Sequence, residues 1–231
     1  MFNDMTLISK SDALHTLIVL IHGKAIHGRG IVLLNASETE ARIKHLDGFV
    51  SVSFFLSENH ETIGEYVQWR SPAHLANAFR RPEFFEHLRV VEGLASAEVG
   101  FYAVERIIAH EDPTIGPVFS GIVDLQVLKL PNENVDAAIA RIGLWAVTMQ
   151  GRSTSLRAVV VHADRANSKA ALFIHHDGAE IEPVWYTDSK MPEIDRGERM
   201  TRYATVSAPR AAERPMQYVL TSTIAHKAHE T

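Results

Sequence analysis

Residues 48–70 read GFVSVSFFLSENHETIGEYVQWR. Two runs rich in β-branched and aromatic residues flank the polar turn 57–61, which is the pattern of two antiparallel strands joined by a short loop. Ser71 and Pro72 follow at once, and they suit the N-cap and the first position of a helix. Trp69 is therefore predicted at a strand-to-helix corner, a place where α/β folds often hold small ligands.

The residues before this hairpin predict one more strand and one more helix. The apolar run 15–21 is typical of a buried strand. The capping-box pattern at 37–40 predicts the start of a short helix that ends before Gly48. The glycine-containing segment 22–30 is interpreted as a turn between the two.

The residues after the hairpin complete one structural unit. Apolar side chains recur at helical spacing beyond Ser71, Pro82 is predicted to restart the helix, and Gly93 suits its C-terminal stop. A strand is predicted over 97–108. The order over residues 15–110 is thus strand, helix, strand, strand, helix, strand, which is the ferredoxin-like βαββαβ arrangement.

The pattern begins again in the second half of the chain. Residues 118–130 predict a strand, 132–145 a helix, and 156–174 a second hairpin with nearly the same strand and turn lengths. Counting from this hairpin, the counterpart of Trp69 falls near His175 or His176.

Beyond residue 178 the correspondence weakens. Turn-forming residues are frequent there, with a short helical candidate over 192–203 and a closing strand over 217–224. The predicted organisation is a leader 1–14, a ferredoxin-like domain 15–110, a linker 111–117, a degenerate ferredoxin-like domain 118–224 and a tail 225–231.

The bare faces of the two predicted sheets suggest how the units pack. A four-stranded sheet that carries its helices on one face leaves its other apolar face uncovered. We therefore expect an α+β fold in which two tandem ferredoxin-like units pack sheet to sheet as a barrel. Sheet edges that remain free make a further homodimer an expectation.

Composition excludes several classes of protein. The 231-residue chain is 46% hydrophobic and 22% charged, as is usual for globular proteins. A formal net charge of −5 disfavours a nucleic-acid partner. Cysteine is absent, which removes disulfides and fits a cytoplasmic location. The longest apolar run near the start is far too short for a membrane span, so no membrane partner is expected.

Three segments carry a resemblance to a known family. GFVSV at 48–52, YVQWRS at 66–71, and RPEF at 81–84 with His87 resemble the antibiotic biosynthesis monooxygenase domain. The likeness covers about 60 residues of the first half, and the second half only by topology. It implies the dimeric α/β barrel architecture and cofactor-independent oxygenation of a small aromatic substrate such as a phenol, anthrone or quinol.

The resemblance also implies catalytic residues. In the polyketide oxygenases of this family, a tryptophan after the third strand, an arginine on the second helix and an asparagine four residues before the tryptophan line the pocket. Trp69 and Arg89 match the first two, whereas Glu65 stands at the third position. We expect Glu65 to act as a base that forms a phenolate, and Arg89 to stabilise the negative charge beside Trp69.

Four further residues are expected to bind the substrate: Tyr66, His74, Phe85 and His87. No metal or other cofactor is expected, because the chain lacks the HExxH motif of zinc sites and the phosphate-binding GxGxxG, GKS and GKT motifs. The absence of GxSxG likewise disfavours catalysis by a serine nucleophile. The adjacent histidines His175 and His176 do not support a metal site, since neighbouring residues of a strand point to opposite faces.

Other interpretations remain open at the same residues. Trp69 also fits a core aromatic, and Arg89 and Glu65 also fit exposed positions. The alternative function is therefore a non-catalytic barrel that binds a small ligand or serves a structural role. A minor alternative is haem degradation with His87 as the axial ligand, although no asparagine on the first strand completes that set.

Overall fold

The computed structural model contains ten strands and four α-helices within the residues that it describes, which are 6–8, 14–109, 114–115, 122–131, 134–177 and 194–207. The strands are β1 Thr6–Leu7, β2 His15–Gly23, β3 Phe49–Ser57, β4 Thr62–Trp69, β5 Ala95–Ala109, β6 Thr114–Ile115, β7 Ile122–Lys129, β8 Leu156–Asp164, β9 Lys169–His176 and β10 Ile194–Ser207. The helices are α1 Ala25–Ala41, α2 Pro72–Ala78, α3 Pro82–Glu92 and α4 Val135–Gln150, with a 3₁₀ turn at Ile43–His45.

Eight of the strands form one closed antiparallel barrel. Their order around it is β10-β3-β4-β2-β5-β8-β9-β7, and β10 closes the ring by pairing with both β3 and β7. The remaining strands β1 and β6 pair with each other, so residues of the predicted leader and linker are in contact. The predicted α+β barrel is confirmed, and the domain boundaries stay predictions.

Alternation along each strand separates the inside of the barrel from its outer face. On β2, Ile18 and Leu20 belong to the core inside the barrel, together with Tyr66 and Phe173. The alternate β2 residues Leu17, Val19 and Ile21 face outward into a second core with α1 and α3. A third core joins α4 to the outer faces of β7, β8 and β9.

The two hairpins have the same strand pairing. Phe49 pairs with Trp69 and Leu156 pairs with His176. In both hairpins the register shifts directly after that first pair, between Phe49 and Ser51 and between Leu156 and Ala158. His176 is therefore the counterpart of Trp69, as the sequence count predicted to within one residue.

The predicted start of the first helix is wrong. The capping-box segment 37–40 lies in the last turn of α1, which begins at Ala25 and includes Gly28. A Cβ added at Gly28 would lie 2.1 Å from the carbonyl oxygen of His60. Gly28 thus allows α1 to lie close against the β3–β4 turn, and this contact outweighs the low helix propensity of glycine.

The helix predicted over 192–203 is also wrong, because β10 occupies Ile194–Ser207. Its backbone pairs with a neighbour on each side, and that tertiary pairing overrides a weak local preference. The closing strand predicted over 217–224 and the tail 225–231 lie outside the described residues. None of the helices among the described residues is long and apolar enough to cross a membrane.

The elements around the second helical region follow the sequence. Ser71 caps α2 by accepting a hydrogen bond from the backbone N–H of His74, and Pro72 occupies the first helical turn. Pro82 opens α3, and Gly93 ends it. Together α1 and α3 cover the outer face of the first half of the barrel, which positions the site described next.

Candidate functional site

A cavity of about 260 Å³ lies between the outer face of the first half-barrel and helices α1 and α3. Its volume is close to the lower end of the range of about 300–1,000 Å³ that is usual for small-ligand pockets. Most of the wall is apolar. The residues that line it are Leu17, Val19, Ile21, Asn35, Thr39, Ile43, Phe49, Val52, Glu65, Val67, Phe79, Phe84, Val91, Glu92, Ala95, Ala97 and Val99.

The cavity opens on the side of β5. Glu92, Ala97 and Val99 line it and are exposed to solvent, and Val99 is 48% exposed. Phe79 and Phe84 also line the cavity, with ring centroids 4.6 Å apart, and the Phe79 ring meets that of Phe101 on β5 at 5.8 Å. A planar aromatic ligand entering past β5 would meet an apolar wall that contains aromatic rings.

Glu65 is a buried carboxylate in this apolar wall. It lies in the middle of β4, between its Cα partners Val19 on β2 and Phe54 on β3. Its side chain is 7% exposed. Strand alternation turns Glu65 outward with Ile63 and Val67, away from the inside of the barrel.

Asn35 holds the Glu65 carboxylate from the helix side. Its Nδ2 donates to Glu65 Oε1 at 2.6 Å. Asn35 lies on the inward face of α1, where Ile31, Val32 and Thr39 are also buried. The Asn35 Oδ1 is buried and has no hydrogen-bond partner among the described residues.

The protonation of Glu65 is set by its surroundings. Burial raises the pKa of Glu65 from 4.5 to about 7, and the hydrogen bond from Asn35 opposes this rise. A carboxyl with a pKa near neutrality is ionised in a large fraction of molecules and still holds a proton well once it has accepted one. This combination is what a general base requires.

Trp69 lies behind the cavity wall. Its side chain is fully buried, and its ring meets that of Phe49 edge to face at a centroid distance of 5.6 Å. Phe49 lines the cavity, whereas Trp69 is absent from the lining. The structure therefore places the indole as a support for Phe49, in keeping with the core-aromatic interpretation.

Arg89 and His74 lie away from the cavity lining. Arg89 is exposed in the last turn of α3. His74 Nδ1 is 2.7 Å from Ser71 Oγ, and His74 lines a separate polar recess with Asp47. Neither side chain is brought together with Glu65.

Tyr66 lies on the opposite face of β4 from Glu65, inside the barrel. Its hydroxyl is 2.9 Å from His162 Nε2. Burial raises the pKa of Tyr66 above its ordinary value and lowers the pKa of His162 to about 4. Phe85 and His87 lie on α3, and their side chains are outside the described part of the structure.

Asn35 is the residue that sequence reasoning missed. Two glycines obscured α1, so no helical face was recognised on which Asn35 would stand out. Once α1 is known to span Ala25–Ala41, the signal is a single amide on its buried face, next to Ile31, Val32 and Ala36. Within the described ranges no cluster of three or more potential metal ligands occurs.

Comparisons with known proteins agree with the sequence resemblance. No protein-family model matches the chain. A segment of 49 residues is 41% identical to tetracenomycin-F1 monooxygenase of Streptomyces glaucescens, and it covers 21% of this chain. The match spans 44% of that enzyme, less than half of its length.

Solved structures confirm the fold. An anthrone oxidase-like protein superposes with a TM-score of 0.73 at 15% identity, over 88% of this chain and 97% of that one. A candidate monooxygenase from Fusobacterium nucleatum gives 0.59 at 14% identity, over 84% and 94% of the two chains. A candidate monooxygenase from Lactobacillus acidophilus gives 0.54 at 9% identity, over 85% and 100%.

Proposed function

We propose that this chain, which resembles the antibiotic biosynthesis monooxygenases in its first half and in its barrel fold, is a cofactor-independent oxygenase of small aromatic substrates. The observation that carries the proposal is Glu65, a buried carboxylate with a pKa near neutrality in the wall of an open apolar cavity. Tetracenomycin-F1 monooxygenase and the anthrone oxidase-like protein support an oxygenation reaction.

The proposed reaction begins with proton transfer to Glu65. The ionised carboxylate accepts the proton of a phenol or of an activated C–H, and the resulting anion transfers an electron to molecular oxygen. For an anthrone, the ring CH₂ becomes a carbonyl. One oxygen atom enters the product, and the other leaves as water with the two hydrogens of the substrate, which is therefore its own reductant.

The apolar wall supports this chemistry in two ways. It excludes bulk water around the anion, which strengthens the electrostatic interactions made within the site. It also keeps Glu65 poised, because burial is the main cause of its raised pKa. Trp69 contributes indirectly in this proposal, by holding Phe49 against the cavity.

Oxygen uptake with 1,8-dihydroxyanthrone tests the proposal. We expect Glu65→Gln, which keeps the shape and removes the base, to slow uptake by a factor of about 10²–10⁴. The matched control is Glu61→Gln, the same change at an exposed carboxylate of the same hairpin. Equal rates in wild type and Glu65→Gln would rule out Glu65 as the base.

A non-catalytic ligand-binding barrel is the second candidate, and the open cavity favours it equally. Saturable binding of the anthrone, observed by calorimetry without any oxygen uptake, would support binding over catalysis. Haem degradation, a homodimer in solution and a cytoplasmic location stay predictions.

A further inference from the structure

The nitrogen of the Asn35 amide has a hydrogen-bond partner in the structure, and its oxygen has none among the described residues. Its Nδ2 donates to the Glu65 carboxylate, while Oδ1 is buried and unpaired among the described residues. Asn35 is 1% exposed, and it lines the cavity beside Glu65. Two neighbouring lining residues therefore carry acceptors, the carboxylate of Glu65 and the unpaired amide oxygen of Asn35.

The orientation of this amide follows from the charge of its neighbour. An ionised carboxylate only accepts hydrogen bonds, so the amide nitrogen must face Glu65 and the amide oxygen is directed elsewhere. A buried acceptor without a partner destabilises the folded state, because it has lost its hydrogen bonds to water and gained none in return. A ligand that supplies a donor at this point recovers that cost.

No other polar group among the described residues donates a hydrogen bond to Asn35 Oδ1. Thr39 lines the same cavity from α1, and Glu92 lies exposed at its rim on α3. The strands that face Asn35 contribute apolar side chains beside Glu65, such as Val19 and Val67. Among the described lining residues, none is Lys or Arg.

We infer that Asn35 is a specificity-determining residue, whose Oδ1 accepts a hydrogen bond from a second donor of the ligand, beside the hydroxyl that faces Glu65. This inference deepens the proposed function and rests on it for the identity of the first hydroxyl. The ligand selected is an aromatic with two neighbouring hydroxyls, because the two acceptors belong to side chains that are hydrogen-bonded to each other and therefore lie close together.

Anaerobic binding of 2-naphthol and 2,3-dihydroxynaphthalene tests the inference, with dissociation constants measured by titration calorimetry at pH 8. Glu65 is mostly ionised at this pH, since its pKa is about 7. We expect the wild type to bind the diol about fivefold more tightly than 2-naphthol, the ratio given by a net hydrogen bond of about 1 kcal/mol. We expect equal affinities in Asn35→Leu, which keeps the volume and removes the amide.

Two further variants keep the test decisive. Asn35→Ala replaces Asn35→Leu if the leucine variant does not fold, and it should show the same loss of preference. Thr39→Val removes the buried hydroxyl of the lining, leaves the Asn35 amide in place and should keep the fivefold ratio. A ratio that persists without the Asn35 amide, or a wild type with no preference, overturns the inference.

The outcomes also separate this inference from the proposed function. Binding is measured without oxygen, so a protein that lacks oxygenase activity can still show the preference for the diol. Conversely, oxygen uptake that depends on Glu65, combined with equal binding of the two naphthols, would support the oxygenase and remove the role of Asn35.

Discussion

The two halves of the barrel share their strand pairing and differ in what lies under their helices. In the first half, Glu65 on β4 faces a cavity of about 260 Å³. Its counterpart on β9 is Leu172. Glu65 pairs with Phe54, five residues after Phe49, and Leu172 pairs with Val161, five residues after Leu156. Leu172 is fully buried under α4. Identical pairing therefore does not produce a cavity, and the side chains between sheet and helix decide whether one forms.

The packing of α4 shows how the second half is filled. Ala138, Ile142 and Ala146 on this helix are fully buried against the strands. Buried polar side chains occur here too: the side chains of Asp124 and His176 lie 3.7 Å apart. Asp124 and His176 are enclosed by this packing, whereas the Asn35–Glu65 pair of the first half borders open space.

Replacing Glu65 of the first half by leucine, the residue at the matching position of the second half, should have the largest effect on activity. In Glu65→Leu, we expect oxygen uptake with 1,8-dihydroxyanthrone to fall by a factor of about 10²–10⁴, because no base remains in the cavity. The folded state should persist, since leucine is accommodated at this position of β9. A Glu65→Leu protein that keeps its activity would contradict the assigned role of Glu65.

Truncation in the filled half should cost the most stability. We expect Leu172→Ala to lower the free energy of unfolding by about 2–5 kcal/mol in urea denaturation, because it leaves a hole in a closely packed core. Leu17→Ala in the wall of the open cavity is the matched control, and it should cost less, because this side chain already borders empty space. Equal losses would mean that both halves are packed alike.

The pH dependence of the free energy of unfolding should report on the buried carboxylate of the first half. The pKa of Glu65 is raised from 4.5 to about 7, so the folded state holds a proton that the unfolded chain has lost within this range. Stability of the wild type should therefore fall between pH 4.5 and 7 relative to Glu65→Gln, by about 3 kcal/mol in total, and then level off. Parallel pH profiles of unfolding for the two proteins would show that Glu65 is solvated.

The smallest effect is expected at Arg89. Because this side chain is exposed and outside the cavity lining, Arg89→Ala should change the free energy of unfolding by no more than about 0.5 kcal/mol. Oxygen uptake should stay within about twofold of wild type on the same argument. A large loss of activity would restore the sequence-based assignment of Arg89 as a stabiliser of negative charge.

The sequence was sufficient to predict those strands and helices in which local patterns and tertiary contacts agree. Alternation in β3 and β4, the Ser71 cap and the proline at the start of α3 all predicted the observed elements. It failed where long-range contacts prevail. The start of α1 depends on Gly28 packing against a turn 32 residues away, and β10 depends on two neighbouring strands.

The candidate site was predictable only in part. Glu65 was identified because it departs from a family pattern at a known spacing from Trp69. The burial of Trp69 behind Phe49 depends on ring packing that no spacing encodes. Asn35 is separated from Glu65 by 30 positions, and their hydrogen bond exists only once α1 lies across β4.

The matched register shifts after Phe49 and Leu156 show that two hairpins of one design can evolve independently when both lie in one chain. In a barrel made of two identical subunits, every substitution appears twice and must suit both environments. Here the two hairpins are encoded separately, so a carboxylate can be acquired on one side while the other side keeps its leucine. Covalent linkage thereby gives each wall of the barrel its own evolutionary history.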